Sequence, residues 1–266
     1  MKHKNSHKKR KGRSGAAVLL LIIGICGGIG LSGRWSLPVM NVIYDKTVER
    51  VTGLWQKAYG KPDAADDMFS SADIPEYAGE PYTVVNDGIP FFTEEEISSI
   101  SGISFGSMDR LGRCTQAVAC LSKEDMPGDG EERGRIGNIK PTGWHTVKYD
   151  CIPDRYCFNR CHLIAWCLCG ANAVPENLVT GSRYMNLAMT EHEVMVAEYL
   201  EDTGNHVLYR VTPVFAGDDL LCRGILMEGY SVEDAGEEIC FNVFYHNVQP
   251  GIGFDYQTGE TWPCGN

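Results

Sequence analysis

Runs of mostly apolar residues mark a series of β-strands in this chain, most of them in its second half. Three long runs rich in β-branched and aromatic residues are separated by Gly and Asp turns, and shorter runs precede them. The segment 185–200 differs because its apolar residues recur at helical spacing. These patterns predict an α+β fold with an antiparallel β-sheet core and flanking helices, rather than alternating β-α-β units. The predicted strands are 82–86, 113–121, 146–149, 206–215, 220–232 and 240–248.

The N-terminal residues have the pattern of a targeting segment. Seven of the 24 Lys and Arg residues lie within the first 13 positions, and an uncharged run, 15–31, follows them. This run is at the short end for a membrane helix and slightly long for the apolar part of a signal peptide. We therefore predict a transmembrane anchor at 15–31, with the basic segment 1–14 in the cytoplasm and the remainder outside the cell. Secretion after cleavage near 30–33 is the alternative.

The rest of the chain divides into a polar stretch and a globular domain. Residues 32–80 contain an acidic, Pro- and Ala-containing part and are predicted to form a stem and linker. Residues 81–266 carry the predicted strands and helix, and their number suits a single domain. No internal repeat is visible.

Charge is distributed unevenly along the chain. The whole chain carries a net charge of −11, and without the basic N-terminus the remainder carries −18. This balance excludes a protein that binds nucleic acid through a basic charge spread over its whole surface, but it is compatible with one local basic site. Between residues 133 and 183 there are seven basic and three acidic residues, which gives a local charge of +4. A polyanionic substrate bound at one place would fit this pattern.

Eleven cysteines are present, and ten of them follow Cys26. If the domain lies outside the cell, an even number of cysteines permits disulfides, whose connectivity the sequence leaves open. A structural zinc site is the competing interpretation. The spacing argues against zinc because no paired Cys-x-x-Cys motif occurs.

The candidate chemistry centres on His162, which follows Asn159, Arg160 and Cys161 at the end of a strand-like stretch. Asn177, Asn186 and Glu193 come after it. If 185–200 is a helix, Asn186 and Glu193 lie seven residues apart on one face. An amide oxygen and a carboxylate on one face suit a hard cation such as Mg²⁺, although surface Asn/Glu pairs are also common.

These residues resemble the DNA/RNA non-specific endonucleases, which are ββα-metal or His-Me finger nucleases. The likeness is greatest to the branch with membrane-bound DNA-entry nucleases and secreted streptococcal-type DNases, and it extends over roughly 82–258. Its signature Asp-Arg-Gly-His reads Asn159-Arg160-Cys161-His162 here, so Arg and His are kept while Asp and Gly are replaced. The motifs that carry the likeness are 140–144, 159–165, 173–180, 183–186, 204–213 and 247–251.

The resemblance implies a catalytic ββα-metal motif that hydrolyses phosphodiester bonds of DNA, with RNA as a second candidate substrate. His162 would be the general base, and Asn186 would bind Mg²⁺ directly, with Mn²⁺ as a possible substitute. Glu193 would hold a metal-bound water. Further roles fall to Asn177, which would position the site, to Arg160, which would contact phosphate or brace the loop, and to Lys140 and Arg183, which would contact the nucleic-acid backbone. No protein partner is implied.

Two other functions remain open at this point. One is a non-catalytic nucleic-acid receptor with the same fold. The other is a hydrolase that uses Cys161 or Cys167 as its nucleophile.

Overall fold

A computed structural model describes residues 69–264 of the chain. Ten strands and three α-helices occur in this part. The strands are β1 (Tyr82–Val84), β2 (Gly102–Phe105), β3 (Ala117–Leu121), β4 (Phe158–His162), β5 (Leu178–Ser182), β6 (Val207–Val214), β7 (Gly224–Ser231), β8 (Cys240–His246), β9 (Ile252–Phe254) and β10 (Thr261–Pro263). The helices are α1 (Glu94–Ser99), α2 (Trp166–Cys169) and α3 (Arg183–Thr203).

Six of the strands form one antiparallel sheet in the order β1-β8-β7-β6-β3-β2. The central pair, β6 and β7, is joined over its full length from Val207↔Ser231 to Val214↔Gly224. The α+β prediction with an antiparallel core is therefore confirmed. It succeeded because the long central strands carry many β-branched and aromatic residues between clear turns.

Helix α3 covers one face of this sheet. Ser182 caps its N-terminus by accepting a hydrogen bond from the Met185 backbone N–H at 2.9 Å, and Gly204 ends it in the left-handed conformation. The helix is longer than the predicted 185–200 at both ends. Its buried residues pack with those of the sheet into the main hydrophobic core, and they are Met185, Met189, His192, Val196, Tyr199 and Leu200.

The other face of the sheet is covered by the chain that precedes β2. Phe69, Ile74, Val85 and Phe91 pack there against a second apolar cluster around Phe244. Phe69 and Ile74 belong to the segment 32–80 that we predicted to be stem and linker. The part of that segment from 69 onward thus includes residues that contact the sheet.

A two-stranded sheet and the helix that follows it build the catalytic motif implied by the resemblance. Strand β4 pairs with β5 in the register Phe158↔Ser182 to His162↔Leu178, and β5 leads directly into α3. Helix α2 lies in the connection between the two strands. His162 is therefore the last residue of β4, the first strand of a β-β-α unit. Helix α3 begins at Arg183, directly after the second strand, β5.

Several local predictions differ from the structure. The run 146–149 forms only an isolated bridge, Lys148↔Tyr156, because a tight loop interrupts its pairing. The strand predicted at 113–121 begins only at Ala117, since Asp109 and Arg113 form a hydrogen-bonded turn before it. Strand β2 and helix α1 were not predicted.

The predicted anchor at 15–31 lies outside the described residues, as does most of the stem. Within 69–264 no helix combines the length and the apolar character needed to cross a bilayer. The ten cysteines of this part are all free thiols in the structure.

Candidate active site

His162 lies at the end of β4 with only 7% of its surface exposed. Its Nε2 lies 2.8 Å from the backbone carbonyl oxygen of Asn172. Because a carbonyl can only accept, Nε2 must carry the proton in this hydrogen bond. In the neutral ring Nδ1 is then the basic nitrogen, and it accepts a hydrogen bond from Nη2 of Arg133 at 2.9 Å.

The surroundings of His162 keep it neutral. Burial lowers the pKa of the imidazole, the Asn172 carbonyl partly opposes this effect, and the positive charge of Arg133 lowers the pKa further. A neutral imidazole with one unprotonated nitrogen is the form that can accept a proton. The local structure thus favours the basic form at neutral pH.

Asn177 fixes the chain that leaves β4. Its side-chain amide forms two hydrogen bonds of 2.9 Å with the backbone of Ile164, which donates through its N–H and accepts through its carbonyl. The backbone carbonyl of Asn177 also accepts from the Leu163 N–H at 2.9 Å. Asn177 is fully buried. Asn177 therefore holds the two residues that directly follow His162, Ile164 through its side chain and Leu163 through its backbone carbonyl.

Arg160 shares a face of β4 with His162 because the two residues lie two positions apart. Its guanidinium donates to the carbonyls of Ile139 and Gly137 and lies 3.9 Å from the centre of the Trp144 ring. Of the two roles that the resemblance offered for Arg160, this geometry supports bracing of the loop.

Asn186 and Glu193 lie two turns apart along α3, and both are half-buried. Neither side chain has a hydrogen-bond partner among residues 69–264. Burial raises the pKa of Glu193 to about 7, and the charge of Arg133 opposes this rise. The positive charge of Arg133 thus lowers the pKa of both His162 and Glu193.

The donor set fits a magnesium ion better than a softer metal. Asn186 and Glu193 offer oxygen atoms that no other group in the described part uses. Within that part, no cluster of three or more His, Cys, Asp or Glu residues could hold a metal. A cation here would rely on the amide, the carboxylate and water, which is the coordination that Mg²⁺ tolerates.

Lys140 and Arg183, the two residues predicted to contact the nucleic-acid backbone, differ in their surroundings. Lys140 is exposed and forms no ion pair within residues 69–264. Arg183 pairs with Asp154, so its charge is partly neutralised before any substrate arrives. Lys140 is the freer of the two for an anion.

Cys161 points away from His162 and into the core. It is fully buried, and burial raises its pKa well above 9.0. The thiol of Cys167 also has a raised pKa for the same reason. A nucleophilic cysteine needs a lowered pKa, so these environments argue against a cysteine-dependent hydrolase.

Sequence reasoning did not single out two residues that contact the base. Arg133 counted only as one of seven basic residues, and Asn172 had no assigned role. Each meets His162 across a loop, and no local spacing reveals such a contact. Arg133 could have been suspected only from its place in the basic region.

Known proteins share this architecture. The sequence profile of one family, described as DNA/RNA non-specific endonuclease, matches residues 94–233, just over half of the chain. The crystal structure of NucA from Streptococcus agalactiae with magnesium ion bound is 24% identical, with a TM-score of 0.58, and the match covers 68% of this chain and 87% of NucA.

Two further structures have the same fold. The structure of NucA from Streptococcus agalactiae with no metal bound is 24% identical with a TM-score of 0.60, over 73% of this chain and 92% of that one. The structure of Sda1 nuclease with bound zinc ion is 23% identical with a TM-score of 0.55, over 69% and 97% of the two chains.

Proposed function

The chain belongs to the DNA/RNA non-specific endonuclease family, and from this premise we propose that it cleaves DNA, with RNA as a second substrate, using His162 as general base. The observation that carries the proposal is the bonding of the imidazole. The hydrogen bond from Nε2 to the Asn172 carbonyl leaves Nδ1 as the basic nitrogen, and Nδ1 faces the side of the site that holds Arg133.

The reaction proposed is hydrolysis of a phosphodiester bond. Nδ1 of His162 takes a proton from a water molecule, and the water oxygen attacks phosphorus as the bond to the leaving 3′ oxygen breaks. The Asn172 carbonyl stabilises the resulting imidazolium because it accepts from the proton on Nε2. By resemblance to the family, the product carries a 5′-phosphate.

A divalent cation bound by Asn186, with Glu193 acting through water, would supply charge neutralisation at the phosphate and the leaving oxygen. Mg²⁺ is the proposed ion and Mn²⁺ a substitute. The donor chemistry of the two side chains supports this choice, and so does the magnesium ion in NucA.

Arg133 has two positions in this proposal. Its guanidinium donates a hydrogen bond to Nδ1 of His162, and this bond must break before Nδ1 can accept a proton. A phosphate dianion or diester oxygen is a stronger acceptor for guanidinium than a neutral imidazole is. Arg133 would therefore turn to the phosphate when substrate binds, and Arg160 would hold the preceding loop at Gly137 and Ile139.

Plasmid cleavage by the full-length chain tests the base. His162→Ala should lower the cleavage rate by about 10²–10⁴-fold, the usual contribution of a general base. The matched control is His145→Ala, because His145 is exposed and its side chain forms one hydrogen bond within residues 69–264, from Nε2 to the Thr258 carbonyl. Circular dichroism checks folding. Near-full activity of His162→Ala would remove the residue from the mechanism.

The metal ligands are tested by a Mg²⁺ titration of three variants. Asn186→Ala should lower activity steeply and raise the Mg²⁺ requirement, while Asn186→Asp keeps an oxygen donor and should be impaired but active. Glu193→Ala should be milder than Asn186→Ala if the carboxylate acts through water. An unchanged Mg²⁺ requirement in Asn186→Ala would contradict the ligand assignment.

Two outcomes bear on the alternative functions. Binding of DNA without any cleavage, with or without EDTA, would favour the non-catalytic receptor. Inactivation by iodoacetamide together with insensitivity to EDTA would favour a cysteine nucleophile.

The location is proposed from the sequence alone. The basic residues before 15–31 support a catalytic domain that lies outside the cytoplasmic membrane. Protease treatment of intact cells should degrade the domain if it is anchored, and the culture medium should contain it if the segment is cleaved. Full-length protein found only in the soluble cytoplasmic fraction would overturn both forms of the proposal.

A further inference from the structure

The backbone N–H groups of the first three residues of α3 all donate to acceptors outside the helix. Helix N-termini normally leave these groups without an intrahelical partner. Here the Arg183 N–H donates to the Cys157 carbonyl at 2.8 Å, and the Tyr184 N–H donates to Oε1 of Gln249 at 3.0 Å. The Met185 N–H donates to Oγ of Ser182. Hydrogen bonds to Cys157, Gln249 and Ser182 thus fix the first turn of α3.

The segment that follows β8 provides a second tie to the same junction. Asn247 is fully buried, and its Oδ1 accepts from the Ser182 N–H at 2.8 Å. Its Nδ2 donates to the carbonyls of Cys222 at 2.9 Å and Thr180 at 3.2 Å. Asn247 and Gln249 therefore connect the end of the main sheet to the point where β5 becomes α3.

This arrangement determines where the first turn of α3 lies, and the proposed cation ligand belongs to that turn. Asn186 comes two residues after Tyr184, whose N–H is held by Gln249. Mg²⁺ demands near-ideal octahedral geometry at 2.0–2.1 Å, so small displacements of a ligand oxygen weaken binding. Because all three N–H groups are occupied, the helix end offers no free donors to a phosphate, and its role is to position.

We infer that Gln249 is a positioning residue for the cation site, which acts by fixing the backbone that carries Asn186; this inference rests on the proposed function. Gln249 is a better probe than Asn247. It is half-buried and contributes one side-chain hydrogen bond, whereas Asn247 is fully buried and joins three elements, so its loss would disturb the fold more broadly.

The test is metal binding by the full-length, metal-free protein, with Mn²⁺ as the probe and electron paramagnetic resonance to measure free ion. Gln249→Ala removes the acceptor and should weaken Mn²⁺ binding by about tenfold or more, as expected when a supporting residue of a metal site is lost. The Mg²⁺ concentration for half-maximal cleavage should rise in parallel.

Gln249→Glu is the discriminating variant. It keeps a side-chain oxygen for the Tyr184 N–H, and its negative charge is favourable at a helix N-terminus. Mn²⁺ affinity should therefore return close to that of the unaltered protein. Gln257→Ala serves as a matched control because Gln257 is exposed and its side chain makes no hydrogen bond within residues 69–264.

The outcomes separate this inference from the proposed function. If Asn186→Ala loses Mn²⁺ binding while Gln249→Ala keeps it, the positioning role is wrong and the ligand assignment stands. If Asn186→Ala itself binds Mn²⁺ normally, the ligand assignment fails. Equal loss in Gln249→Ala and Gln249→Glu would also overturn the inference. Should Gln249→Ala fail to fold, Gln249→Met keeps the side-chain length without the acceptor and takes its place.

Discussion

Replacement of Asn177 by Ala should destabilise the domain and slow catalysis without changing its metal requirement. The side-chain amide is fully buried and forms two 2.9 Å hydrogen bonds with Ile164, which is itself fully buried. Without the amide, the Ile164 N–H loses its partner and the Ile164 carbonyl keeps only the weak S–H donor of Cys169 at 3.7 Å, in a place that water does not reach.

The magnitude follows from these two groups. A buried donor or acceptor left without a partner costs about 1–3 kcal/mol, so the pair should lower the free energy of unfolding by about 2–6 kcal/mol. Domains are stable by only about 5–15 kcal/mol, so this is a large fraction. For a domain of this size the melting temperature should fall by roughly 5–20 °C.

Urea unfolding followed by circular dichroism measures the loss, with Asn205→Ala as the control. Asn205 is half-buried and donates one bond to the Tyr199 hydroxyl, so its replacement should cost about 0.5–1.5 kcal/mol. Below the melting transition Asn177→Ala should cleave more slowly because Ile164 lies two residues after His162. A loss of stability below 1 kcal/mol, together with abolished cleavage, would refute a bracing role and indicate direct catalysis.

Three further predictions concern stability and reactivity. Arg210→Met leaves the buried Glu228 carboxylate without its ion pair and should cost about 3–5 kcal/mol in urea unfolding, whereas a double variant with Glu228→Leu should recover much of the loss. Burial lowers the pKa of His192 in the folded protein below the ordinary value of 6.5. The neutral, buried imidazole therefore contributes its full stability above pH 6.5, and this stability is lost as the pH falls from 6.5 through the folded pKa. His192→Gln should therefore show a shallower acid loss of unfolding free energy, and an unchanged slope would contradict this. Among the cysteines of residues 69–264, iodoacetamide should label only the exposed Cys151, Cys240 and Cys264 in the folded protein, and it should reach Cys161 only after unfolding, as mass spectrometry can verify.

Prediction from the sequence was most accurate for the long strands and the long helix. Strands β6 and β8 have eight and seven residues, long enough for their β-rich composition to be recognised, and helix α3 has 21, long enough for its helical period to be recognised. Strand β2 has four residues and helix α1 has six, so each offers too few positions for a period to stand out. Helix α1 is instead defined by a capping box between Thr93 and Glu96.

The candidate site was predictable only in part, for a physical reason. His162 could be found because its neighbours along β4 resemble a known motif. Arg133 contacts it across 29 residues and Asn172 across 10, and these contacts depend on how the loops fold. Arg183 shows the converse, since its ion pair with Asp154 arises from tertiary structure that charge counting cannot anticipate.

The replacement of Gly by Cys161 in the motif illustrates how the fold absorbs a change beside the base. Neighbouring residues of a strand point to opposite faces, so Cys161 lies on the core side while His162 faces the loop. The thiol occupies the space above Gly181 on the paired strand, where a Cβ atom would collide with Sγ of Cys161 and with Cε of Met185. The larger residue on β4 is therefore matched by the smallest one on β5. Because the extra volume goes into the core, the imidazole keeps its hydrogen bonds to Asn172 and Arg133.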